Sequence, residues 1–151
     1  MNRLLALIVL VLLAATTANA KERSPLRVLR DQKHLDGAGC YLHAPGSAAQ
    51  GADVFQWNLL SDAWINVGGT DIKLTRVSFK QVLVRKDKSS VGDRSIATFS
   101  AQGYKVVVET KVTKTCPEDD ESCEVWSEQG TITVTSGRKS WSARGTGECG
   151  S

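Results

Sequence analysis

The chain has 151 residues, 41% hydrophobic and 23% charged, with 19 basic against 16 acidic side chains and a formal charge of +3. These values suit one globular domain and exclude a disordered or fibrous chain. The charge and a pI near 8.7 fall well short of a nucleic-acid binder, which needs a concentrated basic face.

Residues 1–20 read as a secretory signal peptide. Arg3 supplies the positive start, Leu4 to Ala15 is an apolar run of twelve residues, and Ala18-Asn19-Ala20 places small residues where a signal peptidase reads. The run is short of the roughly 20 residues that cross a bilayer, so no membrane association is expected once the leader is cleaved before Lys21. The mature chain would then hold 131 residues with a charge of +2. Its expected destination is the periplasm or the exterior.

All four cysteines (Cys40, Cys116, Cys123, Cys149) lie in the mature part, an even number in an oxidising destination. Of the three possible pairings, Cys116–Cys123 would close a short loop and Cys40–Cys149 would join the two ends of the domain. Loop-closure entropy assigns about 2.5 kcal/mol to the short staple and about 4.8 kcal/mol to the long one. The rival is a four-cysteine zinc site with His43 nearby. Zinc sites show two close C-x₂₋₄-C pairs, whereas here one pair is close, at C-x₆-C. We therefore expect disulfides, no metal and no cofactor.

Residues 21–36 form a charged N-terminal arm, dense in Lys, Arg, Asp and Glu. Ser24-Pro25 could cap a short helix; Leu26-Arg27-Val28-Leu29-Arg30 could equally be extended. From Gly37 to Ser151 the chain reads as a single β domain. Val, Ile, Thr, Phe, Tyr and Trp recur in short runs broken by glycine, without a sustained helical period. Predicted strands are Cys40–His43, Val54–Leu60, Ala63–Val67, Ile72–Phe79, Gln81–Arg85, Ser95–Phe99, Tyr104–Thr115, a return strand containing Thr131–Thr135, and Ser140–Arg144. Gly68-Gly69 suits a two-residue hairpin turn, which would oppose Val67 to Thr70, Ile65 to Ile72 and Ala63 to Leu74. The apolar phase slips between residues 74 and 77, predicting a bulge near Thr75-Arg76. In Tyr104–Thr115, Tyr104, Val106, Val108, Thr110 and Val112 share one face. The fold class is all-β, an antiparallel sandwich or small barrel of about eight or nine strands, with the choice between them open.

Chemistry is sparse. The sequence contains no G-x-S-x-G, no H-E-x-x-H and no glycine-rich phosphate loop. His34 reads as a solvated side chain of the arm, and His43 as a surface or packing residue. No catalytic residue is assigned, and an enzyme would need a site dispersed across strands. The acidic loop from Glu118 to Glu121 reads as solvated charge at a hairpin tip rather than a calcium site, because it lacks the alternating ligands of an EF-hand. Among the four tryptophans, Trp57 shares its face with Phe55 and Leu59 and reads as core. Trp64 lies opposite Ala63, Ile65 and Val67. It is therefore a candidate binding residue unless both sides of its strand are covered.

The other candidate binding residues are Ser136, Gly137, Arg138 and Trp141, in a turn between the last two predicted strands. Ser136-Gly137-Arg138 followed by Trp141 resembles the Ser-Gly-x-x-x-aromatic loop of bacterial periplasmic lysozyme inhibitors. Trp141-Ser142-Ala143-Arg144-Gly145 is similar to a neighbouring element of one such family. The resemblance implies a β-rich, disulfide-stapled protein whose loop enters an acidic enzyme cleft, with Arg138 meeting a carboxylate. Across the rest of the domain the pattern resembles small exported proteins of Gram-negative bacteria whose role is not assigned. The sequence thus points to a non-enzymatic exported domain with a binding or structural role in the envelope and a protein partner there. The alternatives are an inhibitor of a hydrolase such as lysozyme and a hydrolytic enzyme.

Overall fold

A computed structural model describes residues 24–35, 38–43, 52–117, 119–120 and 123–150. The expected leader, residues 21–23, the arm's end at Asp36, and Glu118 and Glu121 of the acidic loop lie outside the described residues. Nine strands follow in chain order: β1 (Leu26–Arg27), β2 (Gly39–His43), β3 (Asp53–Asn58), β4 (Asp62–Val67), β5 (Thr70–Val82), β6 (Arg94–Ala101), β7 (Tyr104–Lys114), β8 (Val125–Ser136) and β9 (Lys139–Gly150). Strands β2 to β9 run up and down as sequential antiparallel neighbours, and β2 pairs with β9 to close an eight-stranded barrel. The fold is all-β, and the open choice between sandwich and barrel resolves to a barrel.

The hairpin at Gly68-Gly69 has the expected register, with Val67 opposite Thr70, Ile65 opposite Ile72 and Ala63 opposite Leu74. Both glycines have positive φ (64° and 95°), the backbone conformation that lets a two-residue turn follow the strand twist. The expected bulge is also present, as a register shift between Arg76 and Ser78. It absorbs the slip in apolar phase, so β5 continues unbroken from Thr70 to Val82 where two separate strands were expected. At the other end of the chain β9 extends to Gly150 rather than stopping at Arg144, because it pairs with β8 on one side and with β2 on the other.

The inward ladder is apolar through the middle of the barrel. Phe55, Phe99, Leu42, Ile65, Leu74, Val106 and Val134 are fully buried, and each such side chain contributes roughly 1.5–3 kcal/mol by leaving water. Phe55 packs edge-on to Phe99 with ring centroids 5.5 Å apart. Two disulfides form, Cys40–Cys149 and Cys116–Cys123, and there is no free cysteine. They place the chain in an oxidising, extracytoplasmic setting. Among the described residues no helix is long and apolar enough to cross a membrane.

The described part of the arm is extended, with no helix, and lies along the outside of β3, β4 and β5. Leu26 and Arg27 pair with Val67 and Asn66, and Leu29 is buried. The Gln32 side chain accepts from the Asp53 amide at 3.1 Å, while the Gln56 side chain donates to the Gln32 carbonyl at 2.9 Å. The arm is latched at Asp71. Its carboxylate accepts the amides of Arg30 and Asp31, each at 2.9 Å to Oδ2, together with Asn66 Nδ2 at 2.6 Å. His34 Nε2 lies 3.1 Å from the same carboxylate. The expectation of a solvated His34 is thus corrected: its ring stacks on Trp64 at 5.3 Å and is half-buried. On the adjoining wall His43 Nδ1 lies 2.8 Å from Asp53 Oδ1. Tyr41 donates its hydroxyl to Glu148; burial, that bond and the nearby negative charges push its phenol up to about 12.

Burial would raise the Asp71 carboxyl, but the bonds from Asp31, Arg30, His34 and Asn66 outweigh it and hold the group at about 2. A depressed carboxyl stabilises the fold above its ordinary value, and that stability is lost as pH falls through the folded value. Asp71→Asn should therefore cost about 2 kcal/mol at pH 6. Urea titrations of wild type and variant should differ by that amount at pH 6 and converge as pH falls from 4 towards 2.

Candidate functional site

The barrel has two unlike ends. At one end three tight turns join β4 to β5, β6 to β7 and β8 to β9, and Val67, Ala101, Tyr104 and Trp141 pack against the core to form a floor. At the other end, residues 59–61 and 83–93 and the described residues 115–117, 119–120 and 123–124 lie between the strands.

Towards this end the inward positions change character. In β8 the alternation that buries Ile132 and Val134 runs back through Gly130 to Glu128 and Trp126. In β7 it replaces valine with Thr110, whose hydroxyl lies 2.9 Å from that of Ser95 in β6. Past the β5 bulge, Arg76 and Phe79 reach the same space, and Trp57 of β3 and the Cys40–Cys149 disulfide complete the wall. The cavity measures about 90 Å³. A vestibule of about 580 Å³ adjoins it, lined by Arg85, Ser90, Val91, Thr115 and Pro117, with Ser89 and Trp126 bordering both.

Asp93 is 3% exposed and accepts the amides of Val84 at 2.6 Å and Ser90 at 2.8 Å. Its backbone carbonyl accepts from Val112 at 2.9 Å, so the 83–93 loop is tied to the β7 rim. Arg76 donates to the carbonyl oxygens of Leu59 and Leu60 and lies over the Phe79 ring at 5.3 Å. Glu128 is 8% exposed. Its Oε1 accepts from the Trp126 indole at 3.0 Å, whereas its buried Oε2 has no hydrogen-bond partner. Concave, aromatic-walled space with a few converging polar groups is what small-molecule sites are made of.

The sequence-derived candidates lie elsewhere. Trp64 is on the outer wall, half-buried between the His34 ring and Lys73, whose ammonium sits 5.5 Å from the indole centroid. Both sides of its strand are covered, inside by the core and outside by the arm. Ser136, Gly137 and Arg138 form the β8–β9 turn beyond the floor, with Gly137 and Arg138 exposed. Trp141, a candidate binding residue from the sequence, is opposite Val134 and packs on the core. The turn and the cavity are therefore at opposite ends. The cavity residues Glu128, Arg76, Thr110 and Ser95 were not singled out as site residues from the sequence. The available signal was a carboxylate in phase with Ile132 and Val134, two residues at a time.

Among the described residues no group of three His, Cys, Asp or Glu side chains is placed to hold a metal ion. Removing Asp93 should release the rim without opening the barrel. Asp93→Ala should cost about 2 kcal/mol, as for other buried charged hydrogen-bond acceptors. In hydrogen exchange the Val84 and Ser90 amides should lose protection while those of β7 and β8 retain theirs. No protein-family model, curated protein or solved structure matches this chain.

Proposed function

We propose that the chain is a non-enzymatic binding protein of the bacterial envelope, periplasmic or secreted, that takes a small ligand into the open end of its barrel. The observation that carries this reading is the change of the inward ladder from apolar side chains packed on the core near the tight turns to a polar, aromatic-walled cavity beside a wider vestibule. A barrel that served only as a scaffold would gain more by continuing Val and Ile to the rim, since buried polar groups cost free energy unless partnered. Export is supported by the signal-like residues 1–20 and by the two disulfides. The proposal is tested with three slender probes, n-hexylamine, 1-hexanol and hexanoate, by thermal shift and by fluorescence of the cavity tryptophans Trp57 and Trp126. At least one probe should raise the melting temperature, and Ser95→Trp, which fills the cavity, should abolish that rise while leaving the protein folded. Absence of binding by all three, or binding unaffected by the filled cavity, would overturn the reading.

A second reading rests on the opposite end. Gly137, Arg138, Lys139 and Ser140 all stand exposed at the tip of the longest hairpin, the convex shape an inhibitor of an acidic-cleft hydrolase needs. With Trp141 committed to the floor, Arg138 would be the principal contact. Breaking a desolvated charged hydrogen bond costs about 2–5 kcal/mol, so Arg138→Ala should weaken inhibition at least tenfold. The assay is turbidity clearance of cell walls by chicken-type, goose-type and invertebrate-type lysozymes, and failure of the wild-type protein to slow any of them ends this reading.

A further inference from the structure

Within the binding reading, the unpaired oxygen of Glu128 says which ligand chemistry the cavity takes. Glu128 projects inward from β8 opposite Gly147, with Val112 on its other flank, so neither cross-strand neighbour offers a side-chain donor. Oε1 is held by the Trp126 indole, which orients the carboxylate; Oε2 is buried without a partner, and Glu128 is one of the residues lining the cavity. The site's cations are not placed to neutralise it. Arg76 is committed to the Leu59 and Leu60 carbonyls and the Phe79 ring. Arg94 also lines the cavity but is exposed, and the ion pairs of the described residues do not include Glu128. The hydroxyls of Ser95 and Thr110 bond to each other. Asp93, the other carboxylate in the wall, has both oxygens taken by backbone amides.

A carboxylate oxygen that is buried without a donor carries a large desolvation penalty. The ligand group that removes the penalty most fully is a cation that also donates, because charge-assisted hydrogen bonds are about twice as strong as neutral ones. We propose that the cavity binds the protonated amine of a primary amine, with the ammonium donating to Glu128 Oε2 and the apolar body lying between Trp57, Phe79 and Trp126 towards the vestibule. The cavity's 90 Å³ suits a compact head group, since one water needs only about 10–15 Å³. The rest of such a ligand extends into the vestibule, where exposed Val91 and the stem of Arg85 offer apolar contact.

The proposal rests on the binding reading, and the same three probes separate the two. With wild-type protein at pH 7, n-hexylamine should bind at least tenfold tighter than 1-hexanol, and hexanoate should bind weakest. Glu128→Gln preserves shape and the acceptor for Trp126 but removes the charge; it should bring hexylamine and hexanol to within about threefold of each other. The wild-type comparison needs no variant, so the test stands even if Glu128→Gln is poorly folded. Equal binding of hexylamine and hexanol, tightest binding of hexanoate, or a preference that survives in Glu128→Gln would each overturn the amine assignment while leaving the cavity a binding site. Failure of all three probes would remove both proposals together.

Discussion

The barrel depends on one contact, the seam where β2 meets β9. Seven of its eight strand pairings join neighbours in sequence across connections of at most eleven residues. The eighth joins Gly39–His43 to Thr146–Gly150 and closes a loop of more than a hundred residues, whose entropy must be overcome at a single place. Two features of the chain make this possible. Cys40 and Cys149 are direct cross-strand partners, so the disulfide, spanning 109 positions, falls on the seam itself. Gly145 and Gly147 leave room for β2: a Cβ at either position would run into the carbonyl oxygen of His43 or of Tyr41. Glycine in a strand marks such close backbone approaches at barrel corners. Without the seam, β2 and β9 would be exposed edges inviting pairing with other chains.

Closure also creates the inside whose two ends diverge. The floor is formed by side chains next to the tight turns, where Trp141 and Tyr104 pack against the core. The opposite rim carries the longer connections, and its inward positions hold Thr110, Ser95 and Glu128 in place of valines. The Cys40–Cys149 disulfide forms part of the cavity wall, so the staple that closes the barrel also shapes the site. The second staple, Cys116–Cys123, borders the vestibule through Cys116, and Asp93 holds the facing loop. Covalent and hydrogen-bonded restraints thus accumulate around the cavity, as a preformed site requires.

The arm solves a separate problem on the outer wall. Barrel strands present polar residues outward, yet Gln56, Asn66 and Asp53 are buried there. Residues 24–35 lie over this wall: Gln32 partners Gln56 and the Asp53 amide, and the Arg30 and Asp31 amides bond Asp71, which also accepts from Asn66. Asp71 gathers four donors at once, which makes the arm part of the folded domain. Trp64 loses its apparent availability for the same reason.

Much of the architecture could be read from local pattern. Alternation located β7 and β8, paired glycines determined the β4–β5 register, the phase slip located the bulge, and the even cysteine count with a signal-like start led to both disulfides. Each of these is a short-range consequence of side-chain period or turn geometry. Tertiary structure alone decided the rest. Sandwich or barrel turned on whether β2 reaches β9, a contact between chain ends that no window of sequence contains. The fate of Trp64 and His34 turned on where the arm lies, and that of Trp141 on the packing of the floor. The cavity was hidden because Glu128, Ser95, Thr110 and Arg76 come from four strands and converge only when the sheet curls shut.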